Sequence, residues 1–183
     1  VILMKKSFEK PFEEIKAAGN GMTVERKFYL LSSVEHEAAS MHDEDSKTIK
    51  PVEIAPGSIL KKGDKIRIEY RIWNKENRSF VRLSAPREAA LRPVQQLSGM
   101  YGWGIRPFRI NNWFSFMPHG YRNVKAEKTE YYFDSYPEEN TTISEDFFVT
   151  QSGAFVAPVV EIESLYAPHY RANGGFSGKL AVE

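Results

Sequence analysis

His36 and Glu37 open the stretch HEAASMH, a pairing that invites comparison with a zinc-binding helix. Such a helix needs histidines at i and i+4, so that both imidazoles face one metal ion. Here the i+4 position is Ser40 and the next histidine is His42, so the spacing fails. The acidic run from Glu35 to Asp45 reads instead as a solvated loop. Glycine-rich GMYGWG, Gly99 to Gly104, has the composition of a phosphate cradle but not its setting. A cradle needs a helix N-terminus after the glycines, and Ile105-Arg106-Pro107 does not start one. Glu138-Glu139 and Glu145-Asp146 supply paired carboxylates. Acid/base work, however, requires two carboxyl groups whose environments push their pKa values apart, and adjacent acids in turns share solvent. The chain has no cysteine, which excludes thiolate catalysis, disulfides and Cys-ligated zinc. No catalytic set, metal site or cofactor is expected.

Recognition has a better candidate in GMYGWGIRPFRINNWFSFMPHGYR. Trp103, Phe108, Trp113, Phe114, Phe116 and Tyr121 are interleaved with Arg106, Arg109 and Arg122. Rings and guanidinium groups in this mixture stack on sugars, seat a partner protein, or fold back to cap an open sheet edge. With 25 Lys and Arg against 24 Asp and Glu, the net charge of +1 creates no field toward nucleic acid, and none is expected as a partner.

The rest of the chain supplies strands. In MTVERKFYLL, Met22, Val24, Phe28 and Leu30 share one parity while Thr23, Glu25 and Lys27 take the other, and only Arg26 breaks the apolar face. Ile66, Ile68, Tyr70 and Ile72 alternate with Arg67, Glu69, Arg71 and Trp73; after the tight polar connection Asn74 to Asn77 comes SFVRLSAP, and the pair predicts a hairpin. KTEYYFDSY, TTISEDFFVTQ, GAFVAPVV and GFSGKLAVE continue the pattern, while VEIESLY is the one helix candidate, of roughly two turns. The apolar start Val1 to Met4 is too short for a membrane span, so direct membrane insertion is not expected. The expectation is one all-β domain over 1–183, an antiparallel immunoglobulin-like sandwich of about seven or eight strands. Residues 1–20 form its opening strand or linker, and 93–123 a long aromatic-rich insertion loop.

The closing stretch TQSGAFVAPVVEIESLYAPHYRANGGFSGKLAVE resembles the end of the bacterial alpha-2-macroglobulins. In that family a Gly-x-Phe-x-x-Pro strand leads to a Met-Tyr-x-Pro or similar turn and a terminal strand. MTVERKFYL, GDKIRIEYRI, VRLSAPREAALRPV and EYYFDSYPEENTTISEDFFV look like further segments of the same domain, so the resemblance covers 21–183. The chain is similar to the last macroglobulin-like domain of such a protein, and its insertion is most similar to versions from Bacteroidetes.

The resemblance implies a sandwich of the macroglobulin type and no enzyme. The family's members are large, multidomain periplasmic proteins, usually lipid-anchored at the outer membrane, that trap proteases. Cleavage of a bait region collapses their shape, and in many members a thioester in another domain captures the attacker. The implied partners are other domains of the same parent chain, especially a thioester-type domain, and target proteases through the parent. In relatives the Met-Tyr-x-Pro turn packs near the thioester and helps to keep water from it. Here the turn is Leu165-Tyr166-Ala167-Pro168, with Leu in place of Met. Interdomain contact is therefore expected of Leu165, Tyr166, Pro168 and Tyr170, to which the aromatic loop adds Trp103, Trp113 and Phe114. The alternative is a carbohydrate- or protein-binding sandwich that uses the aromatic loop.

Overall fold

The computed structural model describes residues 11–33, 49–55, 57–101 and 119–183. In chain order the strands are β1 (Ala18–Gly19), β2 (Met22–Ser33), β3 (Ile49–Glu53), β4 (Ile59–Leu60), β5 (Lys65–Asn74), β6 (Arg78–Pro86), β7 (Leu91–Pro93) and β8 (Gly99–Tyr101). They continue as β9 (Gly120–Val124), β10 (Lys128–Tyr136), β11 (Asn140–Val149), β12 (Gly153–Val156), β13 (Glu161–Ser164), β14 (Arg171–Asn173) and β15 (Lys179–Val182). A short 3-10 turn, Phe12–Glu14, is the one helical element among the described residues.

Alternation decides which side chains are inside. On β5, Ile66, Ile68, Tyr70 and Ile72 are all buried while Trp73 stays 42% exposed, as a half-buried strand requires. The strands assemble into a seven-stranded sheet ordered β1-β14-β13-β6-β10-β9-β8 and a five-stranded sheet ordered β3-β2-β5-β11-β7. Val81, Leu83, Tyr131, Phe133 and Ile162 of the first and Met22, Val24, Ile66, Ile72, Ile143 and Phe147 of the second belong to one buried cluster. Burying each such side chain stabilises the fold by about 1.5–3 kcal/mol, which offsets the entropy lost on ordering the chain. The expected antiparallel sandwich is therefore the architecture found, with fifteen strands among the described residues instead of seven or eight, because several pairing segments are only two to five residues long and leave no readable period.

A third, three-stranded sheet is ordered β12-β15-β4. Its centre is β15, antiparallel to β12 (Phe155 opposite Leu180) and parallel to β4 (Val182 opposite Leu60). The closing residues are thus a strand, and Leu180 and Val182 sit in the core. Gly175, at φ +67°, makes the turn toward it, and a Cβ there would come within 2.5 Å of the Ala17 nitrogen.

The structure corrects the sequence reading in several places. β5 and β6 do not form a hairpin: β5 pairs with β2 and β11, while β6 pairs with β10 and β13 in the opposite sheet. The connection is an arch from one layer to the other. Hydrophobic period fixes which face of a strand is buried but not which strand it pairs with, so a hairpin and an arch leave the same pattern. Buried polar groups hold the arch: Arg78 Nε donates to Asn74 Oδ1 at 3.0 Å, and Asn74 Nδ2 donates to the Pro137 carbonyl at 2.8 Å.

VEIESLY contains no helix. Its centre is β13, flanked on both sides, with Ile162 opposite Leu83 of β6 and Ala172 of β14. Ile162 and Ser164 are buried while Glu161 is exposed, a period of two that a four-residue strand displays too briefly to be separated from a helical turn. The insertion expected over 93–123 is also shorter than a loop of that length, because its ends are β8 and β9, paired antiparallel with Met100 opposite Tyr121.

Candidate docking surface

Between β13 and β14 the chain turns through residues 165–170. The amide of Ala167 donates to Ser164 O at 3.2 Å, that of Tyr170 to Ala167 O at 2.9 Å, and that of Ser164 to Tyr170 O at 3.0 Å. Neighbouring elements brace the corner. Asn20 Nδ2 donates to the His169 carbonyl at 3.0 Å, and Ser164 Oγ to the Ser79 carbonyl at 3.3 Å. Tyr170 is half-buried, with the Arg78 guanidinium 3.7 Å above its ring centroid and the His169 ring at 4.1 Å. Gly21, at φ +70°, lets this stack close, since a Cβ would lie 2.5 Å from Arg78 Nη2.

On this frame Leu165 is 42% exposed and Tyr166 79% exposed, and Pro168 is exposed beside them. The structure thus brings together Leu165, Tyr166, Pro168 and Tyr170, turning Tyr170 inward and the others outward. Trp103, Trp113 and Phe114 lie outside the described residues. Sequence reading missed Phe80 of β6, which is 45% exposed and meets the Tyr166 ring edge to face at 4.8 Å between centroids. Its carbonyl accepts from the Leu165 amide at 2.8 Å. Phe80 falls between Ser79 and Val81 as an ordinary strand residue, and nothing in its neighbours announces the contact.

Inside the sandwich lies a second polar assembly. Glu145 of β11 points between the sheets, ion-paired with Arg122 of β9, and accepts from Thr129 Oγ1 at 2.9 Å and Tyr131 OH at 3.2 Å. Arg122 also donates to the carbonyls of Gln95 at 2.8 Å and Leu97 at 3.2 Å. Asp146, the next residue, faces the other way and meets Arg67 Nε at 2.7 Å, so alternation separates this pair of acids onto opposite faces. Nearby, burial pushes the Tyr70 hydroxyl well above its usual value, with the Glu145 carboxylate adding to the effect.

Arg26, the residue that breaks the apolar face of β2, is buried and donates to the carbonyls of Pro86 and Pro158. Its Nη2 lies 3.8 Å from Glu88 Oε1. Glu88 is buried, and its carboxyl oxygens find no hydrogen-bond partner among the described residues, so burial raises its pKa despite the opposing Arg26 charge. It lines a cavity of about 50 Å³ together with Phe28, Ile54, Ala157, Lys179 and Leu180. Among the described residues no group of three or more His, Cys, Asp or Glu side chains is placed to hold a metal ion. The interior groups form cross-sheet clamps, whereas Leu165, Tyr166 and Pro168 stay exposed on the corner.

Residues 21–169 match the family described as the bacterial alpha-2-macroglobulin MG10 domain. Three solved structures share the fold. Native alpha-2-macroglobulin from Escherichia coli, spanning domain MG7 to the C-terminus, aligns at 15% identity and TM-score 0.60 over 91% of this chain and 24% of that one. Escherichia coli alpha-2-macroglobulin activated by porcine elastase aligns at 14% identity and TM-score 0.64, over 92% of this chain and 14% of that one. The native conformation of the same protein, from cryo-EM, aligns at 15% identity and TM-score 0.62, over 91% of this chain and 10% of that one. No curated protein matches the chain in sequence. The chain therefore spans at most 24% of the length of these solved chains. By its family match over most of its length, the protein belongs to the bacterial alpha-2-macroglobulin MG10 domain family.

Proposed function

We propose that the chain is a non-catalytic docking domain of an alpha-2-macroglobulin-like, protease-trapping protein. Leu165, Tyr166 and Pro168 press against a neighbouring domain of the parent polypeptide, a thioester-type domain in this reading, and help to hold the uncleaved state. Release of that contact accompanies the switch that follows bait cleavage. The parent acts outside the cytoplasm, in the periplasm or anchored at the outer membrane, and the proteases are its partners rather than this domain's.

The observation that carries this reading is the exposure of Leu165 and Tyr166 on a corner that hydrogen bonds and the Arg78–Tyr170 stack hold in place. Large apolar side chains held rigidly at the surface favour binding because little freedom remains to be lost on contact. In the parent polypeptide, Tyr166→Asp should place a charge in the contact and weaken it, so that limited proteolysis of the uncleaved protein reveals a more open form. A variant with the same digestion pattern and scattering profile as the parent would overturn the assignment of this corner.

A further inference from the structure

We infer that Phe80 is a positioning residue for Tyr166, and that β6 retains a strained backbone at this position to serve that end. Phe80 has φ +55° and is the one non-glycine residue with positive φ among the described residues. A bulky side chain in the left-handed region is a steric outlier, which persists only where the surrounding structure over-determines it. Here the surroundings do so from both sides.

On the β10 side, the ladder pairs Phe133 with Val81 and Ser135 with Ser79 but omits the position between them, Asp134 opposite Phe80. Alternation breaks there in both strands. Val81 and Phe133 are buried, and so are Arg78 and Tyr136, while Ser79, Phe80, Asp134 and Ser135 are exposed. The twist at Phe80 thus turns Arg78 inward, under the Tyr170 ring and against Asn74. It also presents the Phe80 ring and carbonyl to the corner, where the ring meets Tyr166 and the carbonyl accepts from Leu165.

Burying Arg78 needs only the backbone angle, which glycine supplies without steric cost. The Phe80 ring, 45% exposed, adds little to the core, and its contact is with Tyr166. Retaining an aromatic ring at a left-handed position therefore serves the orientation of Tyr166. The purpose given to that orientation rests on the docking reading above; the positioning itself does not.

The test compares Phe80→Gly and Phe80→Leu with the parent sequence by NMR and thermal unfolding. Glycine keeps the twist and removes the ring; leucine keeps bulk and strain and removes only the aromatic face. In both variants Tyr166 should lose its fixed side-chain orientation, read as averaged Hα–Hβ couplings, an effect separate from the ring-current shift that vanishes with the Phe80 ring itself. Phe80→Gly should also unfold at a temperature no lower than the parent chain. Unchanged Tyr166 Hα–Hβ couplings in either folded variant overturn the positioning role, and a Phe80→Gly chain less stable than Phe80→Leu overturns the strain. In the parent polypeptide, Phe80→Gly should weaken the uncleaved-state contact about twofold to tenfold, the range expected for one aromatic pair, read by the same limited proteolysis. Averaged Tyr166 couplings with unaltered digestion leave the positioning intact and refute the docking reading instead.

Discussion

Replacing Glu145 by leucine should destabilise the domain by about 3–5 kcal/mol, the usual cost of removing one member of a buried ion pair. The structure explains why the upper part of that range applies. Arg122 has a side chain 9% exposed, and after the substitution it would keep the Gln95 and Leu97 carbonyls but no counter-charge. Thr129 and Tyr131 would lose the same acceptor from within the seam. Arg122→Met alone should cost as much, since it strands the Glu145 charge, whereas the carbonyls it releases belong to exposed residues and can turn to water. The double variant should recover most of the loss, because an apolar pair of similar volume often replaces a buried ion pair at little net cost. Urea unfolding of all four chains closes a double-mutant cycle, with the slope expected to stay constant. A coupling below about 1 kcal/mol, or a double variant whose loss equals the summed single losses, would refute the clamp.

Two further predictions concern pH. Glu130 lies among Lys125 at 2.7 Å, Lys128 at 2.8 Å and Arg82 at 3.9 Å, and its pKa falls to about 2 because these bonds outweigh burial. A depressed carboxyl pKa stabilises the fold above the unfolded value and loses that contribution as pH falls toward about 2. Glu130→Gln should therefore flatten the acid limb of the stability curve, by on the order of 1–2 kcal/mol after allowance for the partly exposed lysines; an unaltered limb would contradict the network. Glu88 behaves oppositely. Its raised pKa makes its contribution favourable in acid and lost as pH rises through the folded-state value, so Glu88→Gln should match or exceed the parent's thermal midpoint at pH 7. A midpoint clearly below the parent's would show that attraction to Arg26 outweighs the cost of burial.

The layered fold was legible because Ile66, Ile68, Tyr70 and Ile72 alternate without interruption, and because the terminal Phe176, Leu180 and Val182 resume the same period. Pairing was not legible, since the run from Asn74 to Asn77 suits a hairpin and an arch alike; only the partners of Asn74 and Arg78 across the layers decide between them. Arg26 was visible as a break in an apolar face, yet its reason lies with the carbonyls of Pro86 and Pro158, far along the chain. The corner residues Leu165, Tyr166 and Pro168 could be singled out by residue type and resemblance. Phe80 could not, because a positive φ in a phenylalanine is imposed by the tertiary surroundings and leaves no mark in composition.

The placement of β15 has a consequence for how the domain comes into being. Its four residues join β4, from the first third of the chain, to β12, and neither of those strands touches the other in the finished sheet. Until residues 179–182 have been synthesised, both strands lack the one sheet partner they have among the described residues. Sheet closure must then await the synthesis of β15, through a long-range parallel pairing of a kind that forms slowly. During that interval Ile59 and Val156 remain open to mispairing, which makes this small sheet a place where a chaperone or an early neighbour would improve the yield of folded protein.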